Sequence, residues 1–465
     1  MKRRDLIKLS AMGLLAVPGI SLAARVPAVP RLQLELRPEQ RHWFVSGGAP
    51  SDGAPVALWG SNLDLLRLRQ HQPVEIEVIN NLPDETTLHW HGIRVDNAMD
   101  GVSGLTQAPI PPRGRFVYRL TPPDAGTFWA HAHHRTYEQL ARGLYLPLIV
   151  DEAEPYTADR DQLLVLDDWR LGKDGQLDTD SLGDMHEWAH GGRMGNILTV
   201  NRQHRPQLKA RAGERVRLRV LNAANARIMV LQLPDWPIWI LAKDGQPLSA
   251  PREHAGPLVL SPAERYDLLL DIPPNGEGSH SIYHLANESQ IEIARLLVDA
   301  QAAPLVRSAP VPLAANPLPA LPARAPDHRL QLDMTGGAMG SLRQAVYRGQ
   351  MLNIDELVQQ RQIWAFNGSA GLAEQPLLRA RPGELVEIEL HNNTRWPHGM
   401  HLHGHHFQAE SARYPSDLWH DTLLMARGDR VPIRFVAGTQ GRWLLHCHMI
   451  EHQAAGMVSW IDIVV

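Results

Sequence analysis

Gln72-Pro-Val-Glu-Ile-Glu-Val-Ile-Asn80, Glu214-Arg-Val-Arg-Leu-Arg-Val-Leu-Asn222 and Glu384-Leu-Val-Glu-Ile-Glu-Leu-His-Asn392 are one pattern written three times. Apolar residues alternate with charged ones, so Val74, Ile76 and Val78 share one face of a strand, as do Val216, Leu218 and Val220, and Val386, Ile388 and Leu390. Each run reads as a strand with one wet face and ends at Asn. A second strand follows in each unit, at Arg115–Leu120, Arg265–Leu270 and Arg430–Phe435. Three copies of one β pattern predict an all-β chain of three related β-sandwich domains. The register sets them at 31–150, 151–300 and 327–465, with a Pro- and Ala-rich linker at 301–326. Only Ser341–Gln362 has a helical pattern, interrupted by Gly349.

Composition agrees. A chain of 465 residues has room for about three domains at roughly 150 residues each. Its 21% charged and 44% hydrophobic content excludes disorder and coiled coil. With 46 Lys+Arg against 50 Asp+Glu, a basic nucleic-acid binder is excluded. One cysteine excludes an internal disulfide framework and Cys-based zinc fingers. The 24 histidines are the unusual quantity.

Residues 1–24 read as an export signal: Lys2, Arg3 and Arg4 precede an apolar run from Leu9 to Ile20, and small residues around Ala23 suit cleavage. Arg3-Arg4-Asp5-Leu6-Ile7-Lys8 resembles the twin-arginine motif, which predicts a periplasmic location. That segment carries a net charge of +3 and leaves about −7 on the rest, which argues against an anionic membrane as partner. No stable membrane association is expected, and the chain is expected to be a monomer.

The histidines cluster. His89-Trp90-His91-Gly92, His131-Ala132-His133-His134, His398 through His406, and His446-Cys447-His448 with His452 hold 13 of the 24. In the repeat register, Trp129-Ala-His131-Ala-His133 matches Trp443-Leu-Leu-His446-Cys-His448, and His89-Trp-His91-Gly matches His401-Leu-His403-Gly. The middle repeat offers only Tyr283-His284 at the first position and no pair at the second. Matched clusters in the first and third repeats predict a site at their interface.

On a strand, His-x-His projects two imidazoles to one side, which suits nitrogen-preferring metals such as copper. In His446-Cys447-His448 the sulfur points away from both neighbours, so it serves a separate centre covalently joined to the first. His398, Cys447 and His452 with the thioether of Met457 make the His₂Cys-Met set of a blue-copper site. His89, His91, His131, His133, His401, His403, His446 and His448 remain for a multinuclear cluster, with His134, His405 and His406 as supporting or surface residues. A zinc hydrolase would not need a thiolate wired to two imidazoles.

These four segments resemble the copper-binding segments of the multicopper oxidases, a family that includes laccases, ascorbate oxidase and bacterial copper efflux oxidases. The resemblance covers nearly the whole mature chain. It implies three cupredoxin-like Greek-key sandwiches and four copper ions. His89 and His401 match the type 2 ligands; His91, His131 and His448 match one type 3 copper, and His133, His403 and His446 the other. His398, Cys447, His452 and Met457 match the type 1 site. The implied reaction takes electrons singly at type 1 copper and reduces O₂ to two waters, with Cys447, His446 and His448 as the electron path. Asp100, in Met99-Asp100-Gly101, resembles the family's acidic residue beside the cluster and is expected to deliver protons; a plain Asp-Gly turn is the simpler reading. Gln453 stands where some bacterial relatives carry an acid, and an amide cannot shuttle a proton.

For the reductant, the bacterial copper efflux oxidases carry a long Met-rich insertion. Here the corresponding region holds only Met334, Met339 and Met351, which read as packing residues. A phenol or aromatic amine is therefore expected, docking against Trp396 and passing electrons to an exposed edge of His398 or His452. The alternative reductant is Cu(I) or Fe(II). A two-domain nitrite reductase disagrees with three repeats, and a non-enzymatic scaffold disagrees with a complete ligand set.

Overall fold

The structure is a computed structural model and describes residues 29–43, 45–46, 49–50, 55–300, 308–411 and 413–465. The export segment at 1–24 and the first residues of the linker lie outside the described residues. Residues 308–327 contain neither helix nor strand. Among the described residues no helix is long and apolar enough to cross a membrane.

The repeated stretches form Val74–Asn80, Arg215–Asn222 and Leu385–Asn392. Each pairs antiparallel with its predicted second strand, Arg115–Leu120, Arg265–Asp271 or Arg430–Val436. On its other side each pairs parallel with the unit's opening strand, Arg31–Arg41, Arg160–Trp169 or His328–Gly336. Parallel neighbours cannot be joined by a hairpin, so the chain crosses to a second sheet between them. In the first unit that sheet runs Leu66–Arg69, Tyr145–Asp151, Gly126–Ala132, Leu88–His91; in the third, Leu378–Ala380, Val458–Ile463, Gly441–Cys447, His398–Leu402, Thr422–Met425. The middle unit repeats the plan. The fold is all-β, three cupredoxin-like sandwiches in one chain.

The Asn ending each repeat has a structural reason. Asn80, Asn222 and Asn392 are buried, and each side-chain oxygen accepts the main-chain N–H two residues on, from Leu82, Ala224 and Thr394. Each amide nitrogen donates to main-chain oxygens across the following loop, those of Asp84, Arg227 and Trp396 among them. An amide supplies both donor and acceptor, so one side chain shapes the turn and pins the loop that leads to the next strand. In the first and third units that next strand carries histidines.

Two expectations change. The charged face of Arg215–Asn222 is not wet: Arg215, Arg217 and Arg219 are buried, pairing with Asp271, Asp267 and Asp161, and Arg219 also donates to Thr127 of the first sandwich. Another sandwich covers this face, and the carboxylates neutralise what it buries. The stretch 341–362 is mostly not helical. It forms a hairpin, Gln344–Tyr347 with Gln350–Asn353, and only Ile354–Gln359 is helix. Arg348 and Gly349 take positive φ in the turn, and Asn353 with Glu356 closes a capping box that starts the helix there.

Buried apolar side chains of the first and third sandwiches form one continuous cluster, whereas the middle sandwich has its own. The histidine strands lie where the first and third meet.

Candidate metal centres

The strands place the histidines in register. His89 lies directly opposite His131, and His401 directly opposite His446. The equivalent pair in the middle sandwich is Gln232 with Tyr283, and His284 stands opposite Leu231 as Cys447 does opposite Met400. The eight histidines assigned to a cluster are all buried and converge from both sandwiches. Ring nitrogens of His89, His401 and His403 lie within 4.8 Å of one another, as do those of His89, His91 and His131, and those of His133, His403 and His446. His448 joins them through Nε2, 3.3 Å from His131 Nε2.

Hydrogen bonds on the far side of each ring decide what faces inward. The Nδ1–H groups of His89 and His401 donate to the carbonyl oxygens of Asp100 and Asp421, both at 2.8 Å. Those of His131 and His446 donate to the carbonyls of Ala132 and Cys447. His403 Nδ1–H donates to Asp100 Oδ2 at 2.9 Å. Each leaves a bare Nε2 lone pair pointing inward. His91 is reversed: its Nε2–H faces Asp421 Oδ1 at 3.1 Å, leaving Nδ1 inward. His403 Nε2 and His446 Nε2 then face each other at 3.1 Å. Burial, reinforced by neighbouring imidazoles, holds both rings well below the usual histidine range, so both are neutral. Two facing lone pairs at that distance need a cation between them. The inward nitrogens of His89, His91, His133 and His401 find no hydrogen-bond partner, which is what metal ligands require. The donor set fits copper.

Asp100 lies against the cluster, buried, with its carboxylate on the outer nitrogens of His403 and His89. It also makes the turn: Gly101 has φ +83, and a Cβ there would run into the Leu88 carbonyl oxygen. A supporting set escaped the sequence reading. Asp421 touches His91 and accepts both Nη groups of Arg265, at 2.8 and 2.6 Å. Arg265 belongs to the middle sandwich and also donates to the Thr127 carbonyl of the first, so one guanidinium ties all three units together behind the cluster. Burial alone would raise the Asp421 pKa, but Arg265 outweighs it and holds the carboxyl below the ordinary range. The Gly of His-Trp-His-Gly follows from this ion pair: a Cβ on Gly92, φ +84, would strike Arg265 and lie 2.6 Å from Asp421 Oδ2. The available signal was a carboxylate opening the apolar strand Thr422–Met425.

The thiolate centre lies in the third sandwich. Cys447 Sγ is 3.6 Å from His398 Nδ1 and 3.7 Å from His452 Nδ1, and those nitrogens are 3.0 Å apart. The Nε2–H of His398 donates to Thr394 Oγ1, and that of His452 to the His190 carbonyl at 2.7 Å, so two lone pairs and a sulfur converge. Met457 is buried and its backbone bonds both Cys447 and His452. Burial pushes the copper-free thiol up to about 12 and His452 down to about 4. A metal must displace the thiol proton, which couples binding to pH.

One expectation fails here. His398 and His452 are both 0% exposed, so neither offers an edge to a docked phenol. The cover comes from the middle sandwich, whose short helix Met185–Ala189 and following residues lie over His452. The helix starts at Asp184, whose side chain accepts from His186 N and Glu187 N, and Trp364 Nε1–H holds the Trp188 carbonyl. Trp396 is half-buried and its indole N–H points to the Ala338 carbonyl.

Among the remaining candidates, His405 and His406 are buried supports, bonded to the carbonyls of His403 and Asp244. His134 is partly exposed and bonded to Ser103. Gln453, with His133, His134 and Ile450, lines an open cleft of about 330 Å³ that reaches the cluster. Glu451 is buried beside Asn225 with its pKa raised by burial, and it does not line that cleft. Met334 is a core residue; Met339 and Met351 are exposed.

Three cupredoxin-like sandwiches, a buried imidazole cluster and a thiolate centre bonded to it through adjacent residues define a copper redox protein. The family described as multicopper oxidase matches residues 58–155 and again 345–464. The chain is similar to multicopper oxidase MmcO of Mycobacterium tuberculosis, 29% identical over 86% of this chain and 81% of that protein. It is 24% identical to a copper resistance protein A homolog of Pseudomonas syringae pv. tomato, over 84% of this chain and 86% of the relative. The crystal structure of Lac15 from a marine microbial metagenome superimposes with a TM-score of 0.73 and 31% identity, covering 93% of this chain and all of that one. The chain belongs to the multicopper oxidase family: it is an oxidoreductase that uses O₂ and four copper ions.

Proposed function

We propose that this protein is an exported, periplasmic oxidase that draws single electrons from cuprous ion and passes them to O₂. The ligands we assign are His89 and His401 for type 2 copper; His91, His131 and His448, and His133, His403 and His446, for the type 3 pair; and His398, Cys447, His452 and Met457 for type 1. The observation that carries this assignment is the convergence of bare ring nitrogens into two groups joined by the residues His446, Cys447 and His448. Bound copper supplies one-electron redox steps that sum to the four electrons O₂ needs.

The chain's own residues do the rest. Carbonyls of Asp100, Ala132, Asp421 and Cys447 fix which nitrogen each ring presents. Burial keeps bulk water off the cluster except where His133 meets the cleft. Asp100 is the acid beside it, and the cleft past His133 and Gln453 is the route for O₂ and water.

The choice of reductant rests on the cover over His452. A phenol has no imidazole edge to touch, whereas the covering segment Met185 to Met194 displays two histidines and two methionines. The copper resistance relatives favour the same reading. A second reading, oxidation of phenols or aromatic amines, is favoured by the half-buried ring of Trp396. Copper content and O₂ consumption with Cu(I), Fe(II) and a phenol test this. Four coppers per chain with the highest kcat/KM for Cu(I) is expected. A clear preference for the phenol overturns the reductant, and copper-loaded protein without oxidase activity overturns the reading altogether.

A further inference from the structure

We propose that Trp364 is a positioning residue for the thiolate centre: its ring holds the planes of His398 and His452, and its N–H ties them to the covering helix. The inference rests on the type 1 assignment above. Each imidazole is held at its far side by one hydrogen bond, His398 Nε2–H on Thr394 Oγ1 and His452 Nε2–H on the His190 carbonyl. Such a bond fixes the tautomer but resists rocking about Cβ–Cγ only weakly, because Nε2 lies nearer that axis than Nδ1 does. The torsion itself is broad for histidine. Nδ1 is the atom that faces Cys447 Sγ, at 3.6 Å in His398 and 3.7 Å in His452. Holding it needs a wall against both rings, and Trp364, 0% exposed, supplies one. Its ring centroid is 4.4 Å from that of His452, at 41°, and 5.1 Å from that of His398, at 83°. The three rings close a triangle whose third side, His398 to His452, is 4.9 Å.

The wall is itself locked. The Trp364 main-chain N–H donates to the Ala455 carbonyl, just past the helix Ile450–Ala454 that carries His452. A Cβ on Gly337, φ +73, would run into the indole, and one on Gly456, φ +120, into the Trp364 carbonyl oxygen. Gly456 leads into Met457, so Trp364 abuts two ligand rings and the approach to a third ligand. Its Nε1–H donates to the Trp188 carbonyl at 2.8 Å. The next carbonyl, of Ala189, accepts the Ala338 N–H at 2.6 Å, and the next, of His190, accepts the His452 Nε2–H at 2.7 Å. Three consecutive carbonyls of the middle sandwich thus accept from the third, and the outer two bonds come from rings in contact with each other. A shift of the cover therefore moves a ligand and its wall together. The first sandwich provides a comparison. Leu36 pairs with Ser61 and Asn80 as Met334 pairs with Phe366 and Asn392, which puts Trp59 in the place of Trp364. There Thr86 stands where the third sandwich has His398, and Trp59 packs under Arg142.

Copper-loaded Trp364→Leu, Trp364→Phe and Trp59→Phe are compared with the wild type by absorption and electron paramagnetic resonance, and the copper-free forms by denaturant unfolding. Trp364→Leu, which removes the wall, should shift the blue band and change the type 1 copper hyperfine splitting. Trp364→Phe, with a smaller ring and no N–H, should change both less. It should also release type 1 copper to a Cu(I) chelator about fivefold faster under reducing conditions, the factor expected for one lost hydrogen bond. Trp59→Phe should match the wild type throughout. A lower unfolding midpoint for Trp364→Leu with a wild-type band and splitting makes Trp364 a packing residue and overturns the proposal. An equal spectral change in Trp59→Phe overturns it too. Wild-type release from Trp364→Phe overturns the tie to the cover. If Trp364→Leu fails to load copper, Trp364→Phe decides in its place, and an unchanged splitting there overturns the wall. A copper-loaded wild type without a blue band overturns the type 1 assignment itself.

Discussion

Asp421→Asn separates two jobs that one carboxylate does. Asp421 accepts two N–H groups from Arg265 at 2.8 and 2.6 Å, with both side chains essentially without solvent exposure. An amide leaves the guanidinium charge buried, with Asp244 at 3.6 Å as its remaining carboxylate, and Asp244 already serves Lys243. Breaking a buried pair in this way costs about 3–5 kcal/mol. The second job is smaller. His91 Nε2–H loses its carboxylate acceptor at 3.1 Å, and such losses weaken metal binding about 10- to 100-fold. The stability effect should therefore dominate and should appear without metal. Denaturant unfolding of the copper-free protein should show a clearly lower midpoint for Asp421→Asn. Adding Arg265→Met removes the stranded charge and should recover most of the stability, but not the copper affinity. A copper-free single variant as stable as the wild type refutes the ion-pair argument. A double variant with wild-type copper affinity refutes the role given to the Asp421–His91 contact.

Three other outcomes follow from the same geometry. Cys447→Ser should abolish the blue band and oxidase activity, since a hydroxyl is no substitute for a soft thiolate; absorption and metal analysis should still find copper held by the histidine cluster. Asp100→Asn should slow O₂ consumption per fully copper-loaded chain while leaving anaerobic reduction of the type 1 copper intact, and, because the carboxylate also holds His403, it should weaken copper retention at the cluster; unchanged turnover of the loaded variant across pH would reduce Asp100 to a turn residue. The copper-free protein should lose stability in mild acid. His452 titrates near 6.5 when unfolded and about 4 when folded, so the unfolded chain takes up the proton first and stability falls as pH drops from about 6.5 toward 4. That ring alone accounts for about 3 kcal/mol, and the buried cluster histidines act in the same direction. A thermal midpoint flat from pH 7.5 to 5 would contradict this.

Much of this was legible in the sequence because it repeats. The alternation at Val74, Ile76 and Val78 recurs twice, and period-two patterns survive folding when one face meets a core. The histidine motifs were legible for the same reason: His89 opposite His131 and His401 opposite His446 are one cross-strand pair used twice. What escaped is what does not repeat. Asp421, Arg265 and the His190 carbonyl each act across a boundary between sandwiches, where sequence spacing carries no distance information. The arginines of Arg215–Asn222 looked solvated because a period-two pattern cannot tell water from a neighbouring protein surface. The hairpin at 344–353 was misread as helix because its turn, at Arg348 and Gly349, was taken for a blemish.

The middle sandwich holds none of the assigned copper ligands, and its sequence shows why it is retained. At the position of His401 and His446 it carries Gln232 and Tyr283, so its own sheet offers no imidazole pair there. Its charges have turned outward to its neighbours. Arg265 clamps Asp421 behind the cluster, Asp244 accepts the N–H groups of Asp421 and Thr422, and Lys243 with Glu264 balances Asp244. Its short helix closes the other centre through His190. One face therefore positions the histidines of the cluster, and the other covers the thiolate centre that we assign to electron entry. Substitutions in the middle sandwich should divide the same way: those at the Arg265 face change copper retention, and those from Met185 to Met194 change which reductant is used.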